Sequence, residues 1–104
     1  MPLESAGESD IALMFEWDEP KAMLNEQKHS VSFDEATTVF GDPDAITIFD
    51  AYHSLDEDRF ITVGRSNHSR VLVVVYTERD PNIRLISARK AIPAERRQYE
   101  QRDG

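Results

Sequence analysis

The strongest constraint on the fold is a series of short apolar segments in the second half of the chain, separated by tight polar turns. Residues 59–66 (RFITVGRS) and 70–78 (RVLVVVYTE) flank the turn at residues 67–69, and residues 83–90 (IRLISARK) follow the turn at residues 79–82. Alternating hydrophobicity predicts β-strands, and turns this short join antiparallel neighbours. The segment therefore predicts a three-stranded antiparallel unit.

Helix signals lie on either side of this unit. Asp18 can cap a first helix that we expect to run to about His29. Ser32 and Glu35 have the spacing of a capping box, in which each side chain bonds the backbone of the other residue, and they predict a second helix. Pro93 opens the last helix, where a proline is tolerated at the first position.

Two further strands, at residues 12–17 (ALMFEW) and 45–51 (AITIFDA), complete the pattern. The element order is β-α-α-β-β-β-β-α, which predicts an α+β fold with a mainly antiparallel sheet covered by helices. The 104 residues, 39% of them hydrophobic, supply one core. We expect residues 12–104 to form one domain and residues 1–11, which are polar and without a period, to form a flexible tail.

Composition excludes several classes of protein. The absence of cysteine rules out disulfides, thiolate metal sites and a cysteine nucleophile. No apolar run reaches the roughly 18 residues of a membrane span, and no signal peptide is visible, so we expect a cytoplasmic protein without a membrane partner. The net charge is −8, but residues 1–58 carry −13 and residues 59–104 carry +5. This asymmetry indicates either different partners for the two halves or two faces that attract each other within one fold.

The hairpin turns also predict a register. Phe60 is expected to face Tyr76, and Glu78 to face Ile83. Alternation then puts the odd-numbered valines of residues 71–75 beneath the N-terminal helices. The opposite sheet face is expected to carry Phe60, Thr62, Gly64, Tyr76, Glu78, Ser87 and Arg89. A one-residue slip or a bulge in either hairpin would exchange some of these assignments.

That second face contains groups suited to the chemistry of a phosphodiester. Arg89 could bind a phosphate through two hydrogen bonds, Glu78 could accept a proton, and Tyr76 could stack on an unpaired base. The same spacing also fits a half-buried Tyr76 beside a surface ion pair of Glu78 with Arg89. His53, in an acid-rich loop, is a further acid–base candidate because imidazole exchanges protons near neutral pH. No spacing matches a metal motif, so we expect no metal and no cofactor.

Six blocks of the sequence together resemble the BrnT family, a branch of the RelE-type toxins. They are FEWDEPKA, KHSVSFDEATTVFGDP, HSLDEDRFITVGRS, VLVVVYTER, IRLISARKA and ERRQYE, in the order that the family shows. The resemblance runs from about Phe15 to Tyr99. It implies a toxin of a type II toxin–antitoxin system: a metal-independent ribonuclease that cleaves RNA and inhibits translation.

The resemblance also implies partners and a site. A BrnA-type antitoxin protein would neutralise the toxin, and operator DNA would be contacted only through the antitoxin complex. Matched to the family's blocks, the catalytic candidates are His53, Arg59, Arg65, Glu78 and Arg89. The candidates for substrate binding are Glu57, Tyr76, Ser87 and Lys90. The alternative interpretation is a non-catalytic binding module that acts with a partner in transcriptional regulation.

Overall fold

A computed structural model describes residues 14–101, so the expected tail at residues 1–11 lies outside the described residues. The elements follow the predicted order, which confirms the α+β class. The strands are β1 Met14–Glu16, β2 Ile46–Phe49, β3 Arg59–Arg65, β4 Val71–Arg79 and β5 Asn82–Lys90. The α-helices are α1 Glu19–His29, α2 Phe33–Thr37 and α3 Pro93–Gln101. Short 3₁₀ turns follow α2 and β2, at Thr38–Gly41 and Ala51–His53.

The N-terminal caps of α1 and α2 form as the sequence predicts. The Asp18 carboxylate accepts a hydrogen bond from the backbone N–H of Lys21 at 3.1 Å. The Ser32 hydroxyl accepts from the backbone N–H of Glu35 at 3.0 Å. Only this half of the capping box is made, because the Glu35 side chain bonds Arg70 instead of turning back to Ser32.

The five strands form one sheet in the order β1-β5-β4-β3-β2, with β1 parallel to β5 and the other pairs antiparallel. The predicted pairs of Phe60 with Tyr76 and of Glu78 with Ile83 are both present. The turn chemistry was therefore sufficient to predict the register of both hairpins close to their loops.

A β-bulge changes the register farther along β5. Val75 pairs with Ser87 whereas Tyr76 pairs with Leu85, so Ile86 is the extra residue on β5. An extra residue moves every later side chain to the other face of the sheet. Ser87 and Arg89 consequently lie opposite Val75 and Val73, and their predicted place on the Tyr76 face is wrong.

The prediction of which face the N-terminal helices cover was also wrong. Those helices and the 3₁₀ turn after α2 pack on the face of Leu72, Val74 and Tyr76. Val73 lies on the other face in a second cluster, packed with Tyr99 of α3. Residues 71–76 are all apolar because the N-terminal helices cover one face of this central strand and α3 covers Val71 and Val73 on the other, so their sequence contains no alternation that could distinguish the faces.

Asp42 joins three parts of the fold just before β2. Its carboxylate accepts the backbone N–H of Arg65 at 2.8 Å and the hydroxyl of Tyr99 at 2.5 Å. Burial and this carboxylate raise the pKa of Tyr99. The contacts hold α3 against the end of β3, beside the sheet face that α1 and α2 leave uncovered.

Candidate functional site

The sheet face turned away from α1 and α2 is here called the open face. Strand pairing aligns one row of side chains across it from β3, β4, β5 and β1, namely Arg59, Thr77, Arg84 and Glu16. Glu16 accepts hydrogen bonds from Asn82 at 2.7 Å and from Arg84 at 3.0 Å, and these bonds lower the pKa of Glu16. The row therefore presents two guanidinium groups, from β3 and β5, and one carboxylate, from β1.

Two predicted residues of β5 lie farther along the open face. Ser87 is opposite Val75, and Arg89 is opposite Val73. The guanidinium of Arg89 donates two parallel bonds to Glu95 of α3, each 2.8 Å long. This pairing lowers the pKa of Glu95 and raises the pKa of Arg89. The bidentate geometry is the one that a guanidinium also offers to a phosphate.

Between β2 and α3 the open face forms an apolar cavity of about 340 Å³. Its polar lining includes the Arg89–Glu95 pair and Gln98. The apolar lining comes from Ile46, Ile48, Ile61, Val63, Val73 and Tyr99. Such a surface could hold an unpaired base beside a phosphate bound at Arg89.

Three predicted residues meet at the other end of β3. His53, Glu57 and Arg59 line a cavity of about 270 Å³ together with Tyr52 and two other loop residues. Nδ1 of His53 lies 2.9 Å from a carboxylate oxygen of Asp50. Because a carboxylate only accepts, this contact assigns the proton to Nδ1 and leaves Nε2 available. The geometry brings an imidazole, a carboxylate and a guanidinium into one place.

Other predicted residues lie elsewhere. Arg65 and Lys90 line a cleft of about 230 Å³ at the opposite end of the sheet, beside Arg96. Glu57, which lines the His53 cavity, also forms an ion pair of 3.4 Å with Arg79. Ser87 borders a groove whose basic residues are Lys21, Lys28 and His29. The nine predicted residues therefore do not form a single site.

The position of Tyr76 does not fit its predicted role of stacking on an unpaired base. It is 5% exposed, accepts a hydrogen bond from Thr62 at 3.1 Å, and stacks on Phe60 with ring centroids 5.8 Å apart. A base cannot reach a ring enclosed in the core. Glu78 is exposed and lies on the same sheet face as Tyr76, the face that the N-terminal helices cover. The ion pair of Glu78 with Arg89 therefore does not form, and Arg89 pairs with Glu95.

Sequence reasoning missed three residues of potential importance. Arg84 lies between buried Ile83 and Leu85, a pattern that could have placed it on the open face, in the same row as Arg59. Asp50 precedes His53 by three residues, a spacing that favours contact only in the 3₁₀ turn found there. Tyr52 is 87% exposed and packs edge-on against His53 with centroids 5.1 Å apart, so it offers the accessible ring that Tyr76 does not.

Within residues 14–101, no group of three or more His, Asp or Glu side chains is arranged to hold a metal ion. In the same part of the chain, no helix is long and apolar enough to cross a membrane.

The fold and the site define a class of small α+β proteins whose sheet has the two N-terminal helices on one face and guanidinium groups beside the C-terminal helix on the other. The chain belongs to the BrnT family, the ribonuclease toxins of type II toxin–antitoxin systems, whose profile matches residues 17–95. The fold is similar to the crystal structure of the Brucella abortus ribonuclease toxin BrnT, with a TM-score of 0.61 and 21% identity over 78% of this chain and 99% of that chain. No curated protein matches the chain.

Proposed function

We propose that this member of the family is a metal-independent endoribonuclease that cuts RNA and thereby inhibits translation. The observation that carries the proposal is the position of Arg59. This residue belongs both to the guanidinium row of the open face and to the cavity that His53 and Glu57 line. An RNA strand bound across the open face would present a phosphate to an acid–base pair.

The chemistry is attack of the RNA 2′-oxygen on the adjacent phosphorus. Glu57 accepts the 2′-hydroxyl proton, and Arg59 stabilises the charge that develops on the phosphorane. His53 acts here as the imidazolium: its Nδ1–H stays bonded to Asp50, and the proton on Nε2 passes to the leaving 5′-oxygen as the P–O5′ bond breaks. The products are a 2′,3′-cyclic phosphate and a 5′-hydroxyl. Asp50 is a positioning residue, since its bond to Nδ1 orients the ring.

The test is cleavage of a labelled single-stranded RNA by purified variants. His53→Ala and Glu57→Gln should each slow cleavage roughly 10²- to 10⁴-fold, the usual range for loss of a general acid or base. His68→Ala is the matched control, because His68 is exposed in the distant β3–β4 turn. A folded His53→Ala variant that cuts at the wild-type rate would exclude this site.

We further propose that a BrnA-type antitoxin neutralises the toxin by covering the open face, and that operator DNA is contacted only through the antitoxin. A surface that must receive a polyanion is inhibited most directly by occupying it. Acidic side chains of the partner would take the place of phosphates and accelerate association.

One observation favours the alternative of a non-catalytic module that regulates transcription with a partner. Arg79, Arg84 and Arg89 each already pair with a carboxylate. Induction without antitoxin distinguishes the two functions. Growth arrest with RNA cleavage supports the toxin, whereas normal growth and intact RNA support the module.

A further inference from the structure

A second cationic site lies at the end of the sheet opposite His53. The cleft of about 230 Å³ is bounded by the β3–β4 turn, the end of β5 and the start of α3. Its lining contains four cations and no carboxylate. The lining residues are Arg65, Ser69, Arg70, Val71, Lys90, Ala91 and Arg96. By contrast, acids share the lining of the His53 cavity and of the apolar cavity beside α3.

Two of these cations are held in position by the fold. The Arg70 guanidinium bonds Glu35 and donates to the backbone oxygen of Ser30 at 3.1 Å. Arg65 lies over the ring of Tyr99, with its guanidinium carbon 5.8 Å from the ring centroid. A cleft whose walls are fixed in this way can bind an anion with little loss of side-chain entropy.

The other two cations, Lys90 and Arg96, are exposed at the cleft. Arg65 pairs with Val71, and the next row along the open face contains Arg89 and Val73. The cleft therefore continues the open face. Arg65 is six positions after Arg59 along β3, a distance of about 20 Å at roughly 3.3 Å per residue.

We propose that this cleft is a phosphate subsite that binds the backbone of the RNA several nucleotides from the bond that is cut. The inference rests on the proposed function and extends it, because it makes affinity depend on substrate length. An acidic protein segment would suit the same charges, but continuity with the open face favours RNA.

The test compares Arg96→Glu with a control, Arg97→Glu, which has the same net charge. Arg97 is exposed on the same helix but does not line the cleft. For a long single-stranded RNA, the first variant should show a KM about tenfold higher than the control, with unchanged kcat and a shallower salt dependence of binding. Cleavage of a dinucleotide, which cannot span both sites, should be equal in the two variants.

Direct binding of the long RNA, followed by fluorescence anisotropy, separates this inference from the proposed function. If the wild type binds RNA without cutting it, the proposed function fails, and an affinity lower for Arg96→Glu than for Arg97→Glu still supports the subsite. If the two reversals affect RNA binding equally, the subsite is excluded. An effect on antitoxin binding alone would assign the cleft to the protein partner instead.

Discussion

The side chain of Glu35 is 3% exposed, and its carboxylate meets three polar side chains. Ser66 donates to it at 2.6 Å, Arg70 forms an ion pair with it, and Nδ1 of His68 lies at 3.4 Å. The Arg70 hydrogen bond is the main cause of the lowered pKa of Glu35. This residue connects α2 to the turn between β3 and β4, so it stabilises the hairpin that carries Arg65.

Glu35→Gln should lower the free energy of unfolding at pH 7 by about 2–4 kcal/mol, since it removes one partner of a buried ion pair. Because the folded-state pKa is lowered, the contribution of Glu35 is complete above its unfolded pKa of about 4.3 and is lost as the pH falls through the folded value. The gap between wild type and variant should therefore shrink near pH 3. Urea unfolding at both pH values measures it.

Asp34→Asn is the matched control, because Asp34 precedes Glu35 in the same helix but is exposed. It should change stability by less than about 0.5 kcal/mol. A gap for Glu35→Gln that is the same at both pH values would show that the ion pair contributes nothing to folding.

Arg89 is the second residue whose role can be measured. Arg89→Ala should slow cleavage of a long RNA about tenfold, because it removes one charge-assisted contact to a phosphate of the strand bound across the open face, away from the His53 cavity where the bond is cut. Glu95→Gln keeps the guanidinium while removing its ionic partner, and should retain cleavage. If both variants lower the melting temperature equally while specific activity is unchanged, Arg89 has only a structural role.

At the scale of elements, β4 determines how the molecule is layered. Val74 is 0% exposed under the N-terminal helices, whereas Val75 on the open face is only half-buried. The bulge at Ile86 then turns the second half of β5 over, so that Ser87 and Arg89 join the face of Val75. Without it, Arg89 would point into the helix-covered core.

Val74→Ala and Val75→Ala test this layering with one chemical change on adjacent residues. Val74→Ala should cost about 2–3 kcal/mol, since it leaves a cavity in a closed core. Val75→Ala should cost about 1 kcal/mol or less because its surroundings are partly open. Equal costs, or a larger cost at Val75, would contradict the layering; denaturant unfolding measures both.

At the scale of the whole molecule, charge is divided between the two halves of the chain. The +5 half supplies β3, β4, β5 and α3, and hence most of the open face. The −13 half supplies the two N-terminal helices, which cover the other face, and the edge strands β1 and β2. A polyanion is therefore directed to the open face, although the net charge is −8.

Antitoxin binding should follow the same division. Charge reversal at Arg59, Arg65 and Arg89 should slow association, and the wild-type rate should fall with salt because the Debye length is about 8 Å at physiological ionic strength. Reversal at Asp34 and Asp44, which are exposed, is the matched comparison. If only the aspartate variants lose binding, the antitoxin uses the acidic half. Stopped-flow association measures both.

Signals that act within a few residues were enough to predict much of this protein. The caps at Asp18 and Ser32, the tight turns and the alternation in β3 and β5 give the order of elements and the hairpin pairing near each turn. These features depend on local hydrogen bonds and on the two-residue period of a strand. They do not require knowledge of what packs against what.

The tertiary structure decided the rest. The apolar run of β4 fits either face, so only packing of the helices determined that Tyr76 is buried and lost as a base-stacking group. The bulge that brings Arg89 to the open face exists only when β4 and β5 are paired. The partners of Glu35 and the meeting of His53 with Arg59 join residues that the chain separates by loops. Such contacts depend on the free energy of the whole packed arrangement, which no short stretch of sequence contains.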